Sequence, residues 1–410
     1  MTLVLKPAKR ATRMFFLITG LAMSGWAPMV PFAKDRLELD DASLGLLLLF
    51  LGVGAISGMP LTGWLITRIG SKKVMIISGI VMSLSLPALL MLNTFAAMAA
   101  ALFVFGASIG AVDISMNAHG AMIQNVTGKH IMSSLHGLFS VGGLFGPLVI
   151  GGLLKAGLNP VLSASLLSAA LLVLIVSHSG ALLGPVEEQK LNDQLHEKNT
   201  GEKGSAAGRF AWLNGAVLFL GAMCFIAFLS EGAMLDWSAL LLHDNKNVDK
   251  ALSGLGYAFF SVAMAAMRLS GDRIISRFSS KTVVLAGSLI AFSGYACILW
   301  IDWLPGTLAG FALIGIGAAN IVPVFFSAAG SLKNVPSAVA VSAIGTIGYA
   351  GQLAGPAALG FLAKALTLPV ALFISGALFL IAGFAYRFSS VGTVSDPAAG
   401  EKQQEVAVLN

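Results

Sequence analysis

The sequence is poor in charged residues, which occupy only 11% of its 410 positions. Soluble globular domains usually have about 25% charged residues. Hydrophobic residues account for 57% of the chain, and the mean hydropathy is +0.86. These values exclude an ordinary soluble protein and predict a polytopic membrane protein in contact with the lipid bilayer.

Cysteine and the common catalytic motifs are also scarce. Cys224 and Cys297 both lie in apolar segments, where they are typical of small core residues and imply no disulfide or metal framework. No Gly-x-x-x-x-Gly-Lys phosphate loop is present, so an ATP-driven pump is not supported. No metal-ligand spacing or Ser/His/Asp arrangement stands out, and we expect neither an enzyme nor a resident cofactor.

Apolar segments long enough to cross a bilayer recur along the whole chain, since about 30 Å of hydrocarbon requires roughly twenty helical residues. A polar stretch from Gly184 to Arg209 separates two sets of six and is typical of a solvated linker. The predicted spans are 14–32, 43–66, 74–92, 96–122, 133–154, 160–183, 211–236, 251–270, 282–301, 305–328, 337–363 and 368–387. We therefore predict an N-terminal bundle over 1–183, a cytoplasmic linker over 184–210, a C-terminal bundle over 211–387 and a cytoplasmic tail over 388–410.

The positions of Lys and Arg predict the orientation. With both termini in the cytoplasm, 18 of the 25 basic residues lie in cytoplasmic segments, six lie outside, and Arg268 sits at a helix end. This asymmetry agrees with the positive-inside rule and favours a bacterial inner-membrane protein with both termini inside. It also accounts for the net charge of +6 without a nucleic-acid partner.

The two sets of six spans resemble a repeat. The segment 146–155, which begins Gly-Pro, parallels 355–364 at an offset of 209 residues, and 68–72 parallels 277–281 at the same offset. Ile109-Gly-Ala-Val-Asp113 parallels Ile316-Gly-Ala-Ala-Asn320 at an offset of 207. Because each copy has six spans, both copies share one orientation, which predicts two parallel six-helix bundles. Such halves with a site between them describe an alternating-access transporter.

The loop after the second span carries a recognisable motif. Its sequence, Gly63-Trp-Leu-Ile-Thr-Arg-Ile-Gly-Ser-Lys-Lys73, resembles the loop signature of the major facilitator superfamily, although Thr67 stands where the family usually has Asp. The copy in the second half keeps an acid at Asp272. The resemblance implies the twelve-helix major facilitator fold and a gate of ion pairs, unless these charges only mark topology. The predicted gating residues are Arg68, Lys72, Asp272, Arg273 and Arg277.

The fourth span contains Gly110-Ala-Val-Asp-Ile-Ser-Met-Asn117, and Leu135-His-Gly-Leu-Phe139 follows at the fifth. Both segments resemble the fucose-permease branch of the superfamily, in which the fourth-helix acid takes part in proton coupling. The resemblance therefore assigns proton coupling to Asp113. A charged group inside a membrane span also predicts a functional role by itself, unless the carboxylate only forms hydrogen bonds to neighbouring helices. The first span lacks the acid of those permeases, so we predict that Glu231 on the seventh span is the coupling partner, with Asp236 a weaker candidate at the periplasmic rim.

Polar and aromatic side chains within the spans are candidates for binding a solute, although amides between helices also serve as structural contacts. The predicted substrate-binding residues are Asn117, Asn320, Trp26, Gln352 and Tyr349. Gln124 is a weaker candidate near the cytoplasmic end, and Trp237 is typical of an interfacial anchor. His119 and His136 are more typical of packing residues, and Arg268 of a gate or snorkelling residue.

We therefore predict a monomeric, proton-coupled secondary transporter that moves a small polar solute, such as a sugar or related metabolite. One alternative is an exporter of amphipathic compounds. Another is a membrane sensor with the transporter fold. A ligand screen followed by flux measurements separates the three.

Overall fold

The computed structural model describes residues 2–39, 41–198, 213–248, 255–332 and 335–391. Within these ranges the chain is helical and contains no strand. A 3₁₀ turn spans Ala27–Met29, and a π-helical turn spans Leu241–Asn245. The α-helices are α1 (Thr2–Gly25), α2 (Val30–Arg36), α3 (Asp41–Ile69), α4 (Ser71–Leu89), α5 (Phe95–Thr127), α6 (Met132–Lys155), α7 (Pro160–Ser179), α8 (Pro185–Lys198), α9 (Gly215–Leu240), α10 (Leu255–Phe278), α11 (Ser280–Trp300), α12 (Leu304–Ala318), α13 (Ile321–Gly330), α14 (Ser337–Ala365) and α15 (Leu368–Phe388).

These helices form twelve membrane crossings, as predicted. Ten segments of the described chain are long and apolar enough to cross a bilayer on their own, and α12 with α13 forms one of them. Helices α1 and α10 complete the twelve. Both contain several charged residues, which lower their hydropathy: α1 has four basic residues in its first half, and α10 has a buried arginine and a charged C-terminal end.

The first crossing differs from its predicted span of 14–32. Helix α1 begins at Thr2, so the basic N-terminal stretch is helical, and it ends at Gly25. A 3₁₀ turn and α2 then carry the chain to Arg36. Pro28 and Pro31 explain the interruption, because a proline ring lacks the N–H that a continuous helix needs.

One end of the bundle, here called the basic face, is formed by the start of α1 and the α3–α4, α5–α6, α10–α11 and α13–α14 connections. It carries most of the predicted gating residues. Across the interface between the first six and the last six crossings, α6 packs on α10 and α3 packs on α14. These two contacts position the polar groups described below.

Close backbone approach within the first six crossings relies on glycine. A Cβ atom on Gly106 of α5 would lie 1.9 Å from the Leu51 carbonyl oxygen, and one on Gly54 of α3 would lie 2.1 Å from the Phe103 carbonyl oxygen. Small residues of this kind let membrane helices pack backbone to backbone. They hold α5, which carries Asp113, firmly against α3.

The first part of the predicted linker is helical. In α8, the Glu188 carboxylate accepts hydrogen bonds from the Ser71 backbone N–H at 3.1 Å and from the Ser71 hydroxyl, at the first residue of α4. Burial raises the pKa of the Glu188 carboxyl above its ordinary value. Residues 199–212 and 392–410, which contain the rest of the predicted linker and nearly all of the tail, lie outside the described residues, so the predicted domain boundaries stay predictions.

Candidate functional site

The first cluster of buried polar side chains joins α5 to α6. Asp113 is 6% exposed, and Asn117, one turn later, is fully buried. The Asn117 amide nitrogen donates to the Asp113 carbonyl oxygen at 2.9 Å and to its carboxylate at 3.2 Å. Its amide oxygen then accepts from His136 Nε2 at 3.0 Å, an assignment that follows from the hydrogen-bond network. The predicted acid is thus linked to a histidine on the next crossing.

The second cluster centres on Arg268 of α10, which is 5% exposed. Its Nη2 atom donates to Glu231 Oε1 at 2.7 Å, and its Nη1 atom donates to the Ser140 hydroxyl at 3.1 Å. Its Nε atom donates to the Ala319 carbonyl oxygen at 2.9 Å. A single planar guanidinium therefore holds a carboxylate, a hydroxyl and a backbone carbonyl from three other crossings.

This geometry corrects one expectation and adds a contact. Arg268 was expected at the end of a span, but α10 continues to Phe278, which places Arg268 well inside the helix. The direct partner of Glu231, which the sequence did not indicate, is Arg268. A buried carboxylate is stabilised by such a guanidinium, and the coupling of Glu231 with the more distant Asp113 stays a prediction.

The two clusters are connected through α6. The Ser140 hydroxyl, which accepts from Arg268, donates to the His136 carbonyl oxygen at 3.1 Å. A continuous series of contacts therefore runs from Glu231 through Arg268, Ser140 and His136 to the Asp113 cluster. It crosses the interface between the first and the last six crossings.

Tyr349 of α14 is within electrostatic range of both acids, Asp113 and Glu231. Its ring lies 5.2 Å from that of Phe228, centroid to centroid. Gln352, one turn further along α14, packs beside the residue that follows Glu231. The structure therefore brings two of the predicted substrate-binding residues next to the predicted coupling acids.

The tenth crossing is broken at the depth of Arg268. Helix α12 ends at Ala318, and α13 begins at Ile321. Pro323 has no N–H to donate to the Ala319 carbonyl four residues earlier, so that carbonyl loses its helical partner. The Arg268 Nε atom replaces it. The prediction of one continuous span over 305–328 missed this bend, which Pro323 could have indicated.

Asn320 lies in this bend and contacts the other half of the molecule. Its side-chain oxygen accepts from the Ser133 hydroxyl of α6, which also lies 2.8 Å from the Arg268 carbonyl oxygen. Gly271 allows this approach, because a Cβ atom there would collide with both side chains. Asn320 was predicted to bind substrate, but in this conformation its side-chain oxygen holds the interface together.

A second interface bond mirrors the first. The Ser342 hydroxyl of α14 donates to the Met59 carbonyl oxygen of α3 at 2.7 Å. Ser133 and Ser342 are 209 residues apart, as are Met59 and Arg268, which is the offset of the sequence repeat. The repeat therefore places one serine hydroxyl within hydrogen-bond distance of a backbone carbonyl oxygen of the other half on each side of the interface.

Further hydrogen bonds close the basic face. Asp272 accepts from the Ser134 backbone N–H at 3.1 Å, and Asn125 donates to the Gly330 carbonyl oxygen at 2.8 Å. Gln124, predicted as a weaker substrate candidate, donates to the Ser327 hydroxyl. Because all three bonds join the two halves at this end of the bundle, the structure represents a state that is closed on the basic face.

The predicted gating residues divide into two groups. Asp272 reaches across the interface, whereas Lys72 donates to the Leu182 carbonyl oxygen of its own half at 3.2 Å. Arg68 lies over the Trp64 ring, and Arg273 is exposed. Arg277 lies over the ring of the adjacent Phe278. Within the described ranges, the ion pairs join residues of the second half to each other, and the contacts across the basic face are hydrogen bonds. Gating by these five residues therefore stays a prediction.

Trp26 and Trp237 occupy related positions. Trp26 is 5% exposed and Trp237 is partly buried, and neither indole nitrogen has a hydrogen-bond partner. The segments Ala22-Met-x-x-Trp26 and Ala233-Met-x-x-Trp237 repeat at an offset of 211. Substrate binding by Trp26 stays a prediction, and the side chain of Asp236 lies outside the described residues.

Sequence reasoning did not identify Ser140, Ser133, the contact of His136 with Asn117 or the partners of Arg268. An arginine within an apolar stretch was a signal for Arg268, and the repeat was a signal for Ser133 because it aligns this residue with Ser342. Nothing in the sequence indicated Ser140. In the described part of the chain, no group of three or more His, Cys, Asp or Glu side chains is arranged to hold a metal ion.

The model of the Major Facilitator Superfamily matches residues 14–354. The chain belongs to the Major Facilitator Superfamily. An uncharacterized MFS-type transporter of Yersinia pestis is 43% identical over 361 residues, a match that covers 88% of this chain and 90% of the relative. This family membership makes the chain a multi-pass membrane transporter.

Solved structures of the superfamily show the same fold. The transporter FucP in the outward conformation aligns with a TM-score of 0.74 at 16% identity, covering 93% of this chain and 98% of FucP. The proton:xylose symporter XylE bound to 6-bromo-6-deoxy-D-glucose aligns with a TM-score of 0.72 at 12% identity, covering 94% of this chain and 96% of XylE. The expected major facilitator fold of twelve transmembrane helices is confirmed.

Proposed function

We propose that this chain is a proton-coupled secondary transporter that moves a small polar solute, such as a sugar or related metabolite, by alternating access. One observation carries the proposal: Asp113 and Glu231, one buried acid from each half, are joined across the interface by hydrogen-bonded groups. A carboxyl group inside a membrane must be neutralised by a proton or a partner, which suits it to proton coupling.

The groups around these acids suit a hydroxyl-rich solute. Tyr349, Gln352 and Asn117 supply a phenol and two amides beside the acids, and polar groups between helices can bind a solute as well as each other. Two fold relatives support the substrate class, since FucP is named a fucose:proton symporter and XylE a proton:xylose symporter. We also propose that the chain belongs to the fucose-permease branch and works as a monomer in the bacterial inner membrane, with the basic face in the cytoplasm.

The test begins with a ligand screen on the purified protein by thermal shift, because a bound solute stabilises the folded state. The best hit is then assayed in proteoliposomes with and without an inward proton gradient. We expect gradient-driven accumulation in the parent protein and its loss in Asp113→Asn, with counterflow exchange retained. Asp302→Asn is the matched control, because this acid is 91% exposed at the opposite face.

The other outcomes contradict the proposal in distinct ways. Uptake that does not respond to the gradient, or coupled uptake that survives in Asp113→Asn, rules out proton coupling through this acid. Stabilisation by lipophilic cations rather than sugars would favour an exporter of amphipathic compounds. Tight binding without counterflow would favour a sensor.

A further inference from the structure

The bend between α12 and α13 depends on a side chain from another helix. The ladder of backbone bonds is intact on both sides of it, since the Ala319 N–H donates to Gly315 and the Val324 N–H donates to Asn320, both at 3.1 Å. The exception is the Ala319 carbonyl oxygen, which has no backbone donor because Pro323 lacks an N–H. A buried carbonyl without a donor is costly in a membrane, so the Arg268 Nε bond stabilises the bent form.

The orientation of Arg268 is in turn fixed by Glu231. The guanidinium is rigid and planar, so the position of its Nε atom follows from where its two Nη atoms are held. Nη2 is held by the Glu231 carboxylate at 2.7 Å, the shortest of its contacts, and Nη1 by Ser140 at 3.1 Å. If Glu231 loses its charge, the strongest of these contacts weakens and the guanidinium is free to turn.

The bend is directly connected to the hydrogen bonds that close the basic face. Asn320, the second residue of the bend, meets Ser133 of the other half, and α13 carries Ser327 and Gly330 to Gln124 and Asn125 at the basic face. A movement of the bend would therefore pull on contacts that close this end of the molecule. No solute needs to touch α13 for this to happen.

We infer that Arg268 is a positioning residue that transmits the charge state of Glu231 to the bend at Ala319–Asn320. Protonation of Glu231 neutralises its charge, releases the Ala319 carbonyl, moves α13 and opens the basic face. The other ionisable groups that face Glu231 are Tyr349 from α14 and Cys224 from its own helix. The inference rests on the proposed function for its role in transport, but the movement itself can be measured without any solute.

The test measures a distance across the basic face by double electron–electron resonance. Spin labels are attached at Lys129→Cys, in the α5–α6 connection, and at Ser276→Cys, near the end of α10, in a background with Cys224→Ala and Cys297→Ala. Both labelled positions are exposed and lie in different halves. The protein is reconstituted in lipid nanodiscs at constant pH without solute.

Two variants should open the basic face. We expect Glu231→Gln to raise the ratio of long to short distances about tenfold. Arg268→Lys should have a similar effect although it keeps the charge on both residues, because an ammonium cannot hold Glu231, Ser140 and Ala319 at once. If Glu231→Gln does not fold, Arg268→Lys alone still tests the inference.

A third variant tests whether the effect of Glu231 passes through the Ala319 carbonyl. Pro323→Ala supplies the backbone N–H donor that the Ala319 carbonyl oxygen lacks, so this carbonyl no longer depends on Arg268. In this background we expect Glu231→Gln to change the ratio by less than about twofold. The matched control is Pro87→Ala inside α4, where Glu231→Gln should act as it does in the parent protein.

Two results would overturn the inference: unchanged distances in Glu231→Gln or Arg268→Lys, or an equal effect of Glu231→Gln with and without Pro323. Neither depends on uptake. Failed proton coupling with an intact distance change would contradict the proposed function alone. Intact coupling without the distance change would contradict only the route through Arg268.

Discussion

The Arg268 guanidinium lies 2.7 Å from the Glu231 carboxylate, and both residues lie within the membrane-spanning part of neighbouring helices. The side chains are 7% and 18% exposed, respectively. Two opposite charges that are buried together stabilise each other, but either one alone is costly in a membrane. Asp113, the acid of the first cluster, instead accepts a hydrogen bond from Asn117 and forms no ion pair with the described residues.

Removing one member of the pair should cost more than removing both. We expect Glu231→Ala to lower the free energy of unfolding by about 3–5 kcal/mol, because Arg268 is then buried without its counter-charge. Arg268→Ala should cost at least as much, since it also leaves the Ala319 carbonyl without a donor. The double variant should be no less stable than Arg268→Ala. Thermal and denaturant unfolding in one detergent measure all three.

The pair between Lys246 and Asp302 is the control for this cycle. Their atoms are also 2.7 Å apart, and the Lys246 side chain is 6% exposed, but Asp302 is 91% exposed. Without Asp302, the Lys246 Nζ atom still donates to the Leu299 and Ile301 carbonyl oxygens. Solvent screens such a pair, so Asp302→Ala should cost less than about 1 kcal/mol. Equal costs at the two sites would show that the Glu231–Arg268 pair is not effectively buried.

The two mirrored serine bonds should set the stability of the closed basic face. Each of Ser133→Ala and Ser342→Ala removes a hydrogen bond worth about 0.5–1.5 kcal/mol, so each should raise the open fraction roughly two- to tenfold. The effects should add, because the bonds lie on opposite sides of the interface. The labelled distance across the basic face measures the change.

The control for these serines is Ser115→Ala. Ser115 is fully buried, but its hydroxyl bonds to the Ala111 carbonyl of its own helix at 2.7 Å. Its removal should leave the distance across the basic face unchanged. A shift as large as that of Ser133→Ala would mean that loss of any buried hydroxyl opens the molecule.

The fold could be predicted because its signals are local. Apolar runs, the polar stretch after Gly184 and the repeat each follow from the chain itself, and together they predicted twelve crossings. The contact between Asp113 and Asn117 was also predictable, since residues four apart share one helical face. The repeat similarly relates Ser133 to Ser342, although only the structure shows that both donate across the interface.

The partners of the buried charges could not be predicted, because they depend on how distant helices pack. Glu231 and Arg268 lie on different crossings, and nothing in their spacing indicates that they meet. The predicted end of the eighth span was also too early, since the charges after Arg268 resemble a membrane boundary. The docking of Glu188 on Ser71 was missed because a polar, charged stretch is typical of a linker.

His119 should act as a structural residue, in contrast to His136. Thr12 donates to the Ala8 carbonyl oxygen, so His119 Nδ1 donates to the Thr12 hydroxyl at 2.9 Å, and Nε2 accepts from the Leu183 N–H at 3.1 Å. Both ring nitrogens of the neutral side chain are therefore satisfied.

His119→Ala should destabilise the protein by about 1–3 kcal/mol, because the Leu183 N–H loses its acceptor. It should leave the ratio of protons to solute unchanged in proteoliposomes. His136→Ala, which breaks the contact with Asn117, should change that ratio. The interpretation of His119 is wrong if it alters coupling while the unfolding temperature stays the same.

Glu188 should stabilise the start of α4 from the linker helix. Glu188→Ala removes the acceptor for the Ser71 N–H and hydroxyl, and we expect a loss of about 1–3 kcal/mol. Gln189→Ala is the control, because this neighbour on α8 is exposed. Equal losses in the two variants would mean that α8 is not held through Glu188.

The pH dependence of this contact has a defined sign. Burial raises the pKa of the folded Glu188 carboxyl above its ordinary value of 4.5, so the folded state holds this proton more tightly than the unfolded state. The free energy of unfolding should therefore fall as the pH rises from 4.5 through the raised pKa. Glu188→Gln cannot ionise and should lack this component. The difference in unfolding temperature, parent minus Glu188→Gln, should decrease between pH 4.5 and 8. A difference that grows with pH would contradict this prediction. It would show that the helix terminus and Ser71 favour the ionised form more than burial opposes it.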